Sequence, residues 1–347
     1  MHTQISYDFP TPITSVYQLP QNLFDLDDDL PASEVESSAE KIEQTVIAFQ
    51  KNLVHHTGYL TAMEKIGRCH RLGRHGLSEP SCLLITAESG CGKSTIREQY
   101  AKTYERYEAD DRTVIPVLHL QLPSAPTIKN VAEKILIELG DPFAEKGSAE
   151  GKTARIVKLL KECGVELVIL DEFQHFVDRS SEKVEYKVAD WLKSLISESK
   201  VPFILMGLPR CQRILDVNEQ LRRRFLPRVA LHRFQADTPT QRKQFFTLLK
   251  GLEKCLPLEG RTALTDRAVT MRIYYATYGV IDHTMKLVSS ALEIVLTEQL
   301  PTIDQDVLRR AFQEAIWKGA HDQDNPFHEA FKERALTGVG EPFCDYV

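Results

Sequence analysis

Four apolar runs punctuate the middle of the chain, at Leu83–Thr86, Val114–Leu122, Val165–Leu170 and Phe203–Met206. Apolar on both faces and bounded by polar segments, they predict buried strands of a parallel sheet with helices between them. Val188, Leu192, Leu195 and Ile196, with Trp191 alongside, give the helix after the third run an apolar face that packs on a core. Ile42, Val46, Phe49 and Leu53, then Leu60, Met63 and Ile66, predict helices leading into the sheet. After Phe234 only helical periodicity remains, over Gln241–Leu252, Thr265–Tyr278, Asp282–Glu298 and Asp304–Lys318. The ends have no such period. The predicted organisation is an extended acidic arm over 1–36, a helical lead-in over 37–78, an α/β core over 79–235, a small helical lid over 236–319 and a tail over 320–347. The aromatics of the two ends (Tyr7, Phe9, Tyr17 and Phe24; Phe327, Phe331, Phe343 and Tyr346) suit docking on partners rather than self-burial.

The first run carries the chemistry. Leu83-Leu84-Ile85-Thr86-Ala87-Glu88-Ser89-Gly90-Cys91-Gly92-Lys93-Ser94-Thr95 reads as strand, phosphate loop and helix start. Gly90 and Gly92 let backbone N–H groups turn toward phosphate oxygens, Lys93 reaches the β- and γ-phosphates, and the Ser94 hydroxyl holds Mg²⁺. Ala87 replaces the usual first glycine, so its backbone must be one that alanine adopts. The nucleotide-binding candidates are therefore Ala87, Glu88, Ser89, Gly90, Cys91, Gly92, Lys93, Ser94 and Thr95, with ATP and Mg²⁺ as cofactors. The third run ends in Asp171-Glu172. Asp171 would bind Mg²⁺ through its water shell, and Glu172 would orient or deprotonate the water that attacks the γ-phosphate. Hydrolysis is thus expected as well as binding. A chance glycine loop and an acidic pair at a strand end are the plain alternatives, and the conjunction of the two motifs disfavours both.

Composition narrows the setting. The 347 residues are 42% hydrophobic, the range of a soluble globular protein, and no run is long enough to span a membrane. The N-terminus has no basic segment followed by an apolar one, so a cytoplasmic protein is expected. Seven scattered cysteines without C-x-x-C spacing argue for reduced thiols and against a zinc site. Cys91 lies inside the phosphate loop, where alkylation would block nucleotide. The formal net charge is −6, yet residues 1–40 hold eight acids and no Lys or Arg, so the remaining chain is nearly balanced and allows a basic surface.

Further cues are Leu170-Asp171-Glu172-Phe173-Gln174-His175-Phe176, Trp191-Leu192-Lys193-Ser194-Leu195, Val201-Pro202-Phe203-Ile204-Leu205-Met206-Gly207 and Gln220-Leu221-Arg222-Arg223-Arg224-Phe225. With the helical lid, they resemble the AAA+ ATPases and, within them, the TnsC/TniB regulators of transposons, including CRISPR-associated ones. The resemblance covers about 79–235 and weakens through the lid. It implies an arginine at the L-x-x-R-F position that reaches a neighbouring subunit's ATP, here Arg224, making Lys93, Glu172 and Arg224 the catalytic set. A solvated basic helix end is the alternative for the arginine run. Two positions depart from the family pattern: Gly207-Leu208 lacks the polar residue of sensor 1, and Asp282 stands where sensor 2 has arginine, with His283 or Lys286 as substitutes. Slow turnover is expected.

The resemblance also implies a self-assembled ring or filament around duplex DNA that connects a target-selector complex to a transposase. The segments Pro123–Lys129 and Glu145–Lys152 are the expected backbone contacts, with Lys129, Lys146 and Ser148 holding phosphates. Solvated loops are the alternative. A small-molecule P-loop kinase and an initiator-type DNA adaptor that uses ATP structurally are the rival functions.

Overall fold

The computed structural model describes residues 32–75, 79–178 and 181–346. Helices α1 (Ala32–Gln50) and α2 (Thr57–Arg74) precede strand β1 (Leu83–Ala87) and helix α3 (Lys93–Lys102). A ribbon of β2 (Tyr107–Glu108) and β3 (Thr113–Val114) leads to β4 (Val117–Gln121), α4 (Ile128–Glu138), α5 (Ala149–Glu162) and β5 (Leu167–Asp171). Then come α6 (His175–Asp178), α7 (Glu182–Ser199), β6 (Phe203–Gly207), α8 (Arg213–Asp216), α9 (Glu219–Arg224) and β7 (Arg228–Leu231). Helices α10 (Pro239–Glu253), α11 (Arg267–Thr277), α12 (Ile281–Thr297) and α13 (Gln305–Ala315) follow.

Two compact units result, and they are not contiguous in sequence. The larger contains 55–245, 277–284 and 335–347; the other contains 246–276 and 285–334 together with the described residues up to 54. The lead-in is thus shared between units, with α1 in the second and α2 in the first. Residues 1–31 of the expected acidic arm lie outside the described residues, and the chain is helical from Ala32, five residues before the expected start.

In the larger unit the sheet order is β4-β5-β6-β1-β7, with every pair parallel. This is the expected α/β class. Every residue of β5 and β6 is buried, as their apolar sequences require, and the burial extends to the acidic end of β5, Asp171. The run Val114–Leu122 is not one strand, because Pro116 has no N–H to donate and separates β3 from β4. Its carbonyl instead accepts the N–H groups of Glu166 and Leu167. Strand β7 alternates exposed Arg228 and Ala230 with buried Val229 and Leu231, an edge pattern too short to stand out as an apolar run. From β1 the chain crosses to β4 at the far edge and then walks back, a topology that makes the carboxyl end of β1 the place where a ligand is expected.

The free C-terminal tail is corrected by the structure. In the second unit, Phe327 and Phe331 are buried, Arg272 donates to the carbonyls of Pro326 and His328, and Asn325 donates to Arg309 O. In the first unit, Leu336 and Phe343 are fully buried, and the Phe343 N–H donates to Leu336 O at 3.0 Å. Single aromatics filling pockets leave no helical or strand period, which is why the segment reads as unpacked.

Candidate nucleotide site

Strand β1 ends at Ala87, a buried strand residue with no positive φ, so the missing first glycine costs no backbone strain. The chain then turns through Gly90 (φ 72°) and Gly92 (φ 88°), left-handed values that favour glycine. Gly92 immediately precedes α3, and a Cβ placed on it would meet nothing within 4 Å. Its backbone is therefore open on the side where an anion approaches the helix N-terminus. Lys93 is buried and its Nζ donates to Ala87 O at 2.8 Å and Glu88 O at 3.1 Å. Burial holds its ammonium below the usual lysine range, against the opposing pull of Glu172 and Asp171.

The acidic strand end faces this loop. Asp171 is fully buried, and its Oδ2 accepts from Ser94 Oγ at 3.0 Å and from Arg97 Nη1 at 3.1 Å, while Oδ1 accepts the Glu172 N–H at 2.8 Å. Hard oxygen donors on Ser94 and Asp171 suit Mg²⁺. Among the described residues no group of three or more His, Cys, Asp or Glu side chains is placed to hold a metal ion. Glu172 adopts φ 59°, rare for a residue with a side chain and of order 1–3 kcal/mol in cost. Its Oε2 accepts from Gln174 Nε2 at 2.5 Å, and His175 Nε2 lies 3.6 Å away.

Sequence reasoning missed Arg97 and Gln174. Arg97 follows Ser94 by three residues and so shares its helical face, a spacing that could have revealed it. It pairs Asp171 with Glu98 while buried. The start of α12 closes the loop from above: the Asp282 N–H donates to Gly90 O at 3.1 Å, and a Cβ on Gly90 would lie 2.8 Å from Val280. Asp282 thus meets the phosphate loop through its backbone. The C-terminal turn is there too, with Tyr346 Oη donating to Ser89 O at 3.4 Å and Phe343 stacked on Tyr278 at 5.7 Å between ring centroids. Burial, with Cys91, Asp282 and Glu88 nearby, pushes the Tyr346 phenol up to about 12.

The model of the bacterial TniB protein family matches residues 48–236, more than half of the chain. The chain belongs to the TniB family. A search of the curated proteins by sequence found no match. Among solved structures it is similar to the Aeropyrum pernix ORC2 protein in its ADPNP–ADP complexes, at TM-score 0.57 and 15% identity over 79% of this chain and 72% of that one. It is likewise similar to Cdc6p from Pyrobaculum aerophilum, at 0.57 and 13% over 80% and 72%. A third is the Aeropyrum pernix ORC1 protein in complex with DNA, at 0.53 and 16% over 76% and 66%. These likenesses are of fold, and the fold is that of the AAA+ ATPases.

In this TniB-family chain the arginine run is split. Arg224 is 13% exposed, and its Nη1 donates to Lys193 O at 2.9 Å and Ser197 Oγ at 2.7 Å. Its own carbonyl accepts the Cys82 N–H, at the end of β1 opposite the phosphate loop. Arg224 therefore holds α9 to α7 within its own subunit. Arg222 and Arg223 are the exposed pair, Arg223 bonded to Glu219 one turn before it.

The DNA candidates lie on separate elements. Lys129 is exposed in the first turn of α4, whose start is fixed by reciprocal Thr127 and Asn130 hydrogen bonds. Lys146 is exposed in the loop after α4, with its Nζ 5.1 Å from the Phe143 ring centroid. Ser148 caps α5: its Oγ accepts the Gly151 N–H at 3.2 Å. The Glu150 carboxyl is held below its usual range by a backbone N–H and by that hydroxyl.

Proposed function

We propose that this TniB-family protein is an ATP-hydrolysing regulator of DNA transposition. With ATP and Mg²⁺ it assembles with further copies of itself, in a ring or helix, on duplex DNA, bridges a target-selector complex to a transposase, and leaves the DNA on hydrolysis. The observation that carries this reading is the Ser94 Oγ–Asp171 Oδ2 contact of 3.0 Å, which joins the phosphate loop to an acidic strand end at the carboxyl edge of a parallel sheet.

Bound ATP and Mg²⁺ would supply the scissile phosphoanhydride and the positive charge that screens it. The chain does the rest. Backbone N–H groups of Ser89–Ser94 hold phosphate oxygens, and Lys93 Nζ exchanges the carbonyls of Ala87 and Glu88 for an anion. A Glu172 carboxylate oxygen takes the proton of the attacking water. Charge developing on the transferred group would be met by an arginine from a neighbouring subunit, and the exposed Arg222 and Arg223 are the ones free of a structural anchor on α7. The DNA complex of the ORC1 neighbour supports a DNA-bound state, with Lys129 and Lys146 contacting phosphates. Cysteines 69, 82, 91, 163, 211, 255 and 344 are all free thiols, which supports a reducing, cytoplasmic setting. No helix among the described residues is long and apolar enough to cross a membrane.

One observation favours a second reading, an adaptor that uses ATP structurally: Arg97 occupies the Asp171 oxygen that also accepts from Ser94. Phosphate release from ATP, with and without duplex DNA, separates the two. Turnover above background that DNA stimulates supports the switch. Tight ATP binding without turnover in either condition supports the adaptor.

A further inference from the structure

Glu172 has a partner that the reaction above does not name. Gln174 is 2% exposed; its Nε2 donates to Glu172 Oε2 at 2.5 Å, and its Oε1 accepts the Leu208 N–H at 3.0 Å. Neither bond tolerates a flipped amide, because an ionised carboxylate only accepts and a backbone N–H only donates. The side chain therefore has one orientation, spanning from the end of β6 to the carboxylate beside β5.

Gly207 provides the space. A Cβ there would lie 2.6 Å from Gln174 Oε1, closer than such atoms approach, and a tight 3.2 Å from the Gln174 backbone N. Gly207 is not among the residues with positive φ, so what a side chain here would take is the room of the Gln174 amide and not a backbone conformation. The same position is where the sequence lacks a polar side chain at the end of that strand. The structure fills that gap from another direction, with an amide from the segment after β5.

We propose that Gln174 is a positioning residue for hydrolysis, which takes the place of a polar side chain at position 207 and fixes the Glu172 carboxylate toward its water. The inference rests on the hydrolysis reading given above. Glu172 enters the site through a left-handed backbone and an N–H bonded to Asp171 Oδ1, which fixes the near end of the residue. The far end has long χ freedom unless Oε2 is held. Gln174 removes that freedom and leaves Oε1 to accept a proton, so its loss should lower kcat and spare ATP binding.

The test compares ATP turnover of the full chain on duplex DNA for wild type, E172Q, Q174L, Q174N, G207A and the Q174L/G207A double variant, with melting temperature and ATP-dependent assembly measured alongside. Q174L should lower kcat about tenfold or more with KM for ATP within about twofold, and should still assemble. G207A, whose methyl displaces the amide, should show the same selective loss, and the double variant should be no worse than the poorer single one, since both act through one contact. Should Q174L not fold, Q174N gives the same reading, being one methylene too short to span both partners. Turnover lost in E172Q but kept in Q174L and G207A overturns the positioning role alone. A rise in KM and a fall in melting temperature that accompany the kcat loss also overturn it, because the amide is then structural. Absent turnover in wild type, or turnover untouched in E172Q, overturns the hydrolysis reading and this role with it.

Discussion

Arg224 Nη1 donates to the Ser197 hydroxyl at 2.7 Å, and that bond fixes α9 on α7. A guanidinium with two acceptors inside its own subunit stabilises that subunit, and removing a charged donor from such acceptors costs about 1–3 kcal/mol. R224A should therefore lower the melting temperature. R223A breaks only an exposed i,i+4 pair worth about 0.3–0.5 kcal/mol and should melt like wild type. If Arg222 or Arg223 acts across an interface, an R222A/R223A subunit should regain turnover on mixing with K93A subunits that keep both arginines. No recovery, despite shown co-assembly, would count against action between subunits.

The C-terminal segment should matter for folding before it matters for partners. Phe343 is fully buried beside Tyr278 and His283, and its truncation to alanine should cost about 3–5 kcal/mol. Deleting 336–347 should likewise lower the melting temperature and expose the phosphate loop. A truncated chain that melts as wild type does, measured by calorimetry, would show that the segment detaches without cost.

Alkylation should spare the phosphate loop. The Cys91 thiol is buried, and burial, reinforced by Glu88, pushes it up to about 11, so its reactive thiolate is scarce at pH 8. Cys344 is exposed and should react first with iodoacetamide, with ATP binding unchanged. Mass spectrometry showing early label on Cys91, with loss of nucleotide binding, would contradict this.

DNA affinity should be insensitive to sequence and fall steeply with salt, because the candidate contacts are ammonium groups on phosphates. K129A and K146A should each weaken binding to unrelated duplexes alike and shallow the slope of log K against log salt by about 0.9. S148A should instead act mainly on stability, since the hydroxyl caps α5 at a typical worth of about 1 kcal/mol. A lysine variant with unchanged affinity and slope removes that residue from the DNA surface.

What was legible in the sequence follows from range. Gly90, Gly92, Lys93 and Ser94 lie within five residues, and Asp171 and Glu172 end an apolar run, so local pattern was enough to single out residues that the fold brings to one place, with Ser94 Oγ 3.0 Å from Asp171 Oδ2. Strands β1, β5 and β6 were likewise readable and β4 lay inside a longer run that Pro116 breaks, whereas β7 is an edge with alternate exposed positions and was not. Three arginines in a row look alike in sequence, and only the turn of α9 decides that Arg224 is the one that meets Lys193 and Ser197. The pairing of Gln174 with Gly207, and of Tyr346 with Ser89 across most of the chain, depends on packing between distant segments that no local periodicity records.

The central claim is that hydrolysis at Lys93, Asp171 and Glu172 ends an ATP-built assembly on DNA. Light scattering of the protein on duplex DNA after one addition of ATP and Mg²⁺ tests it most directly. The account predicts a rise and then a decay for wild type as ATP is consumed, a rise that persists for E172Q, and no rise for K93A. Equal decay in wild type and E172Q, or full assembly by K93A, would contradict it.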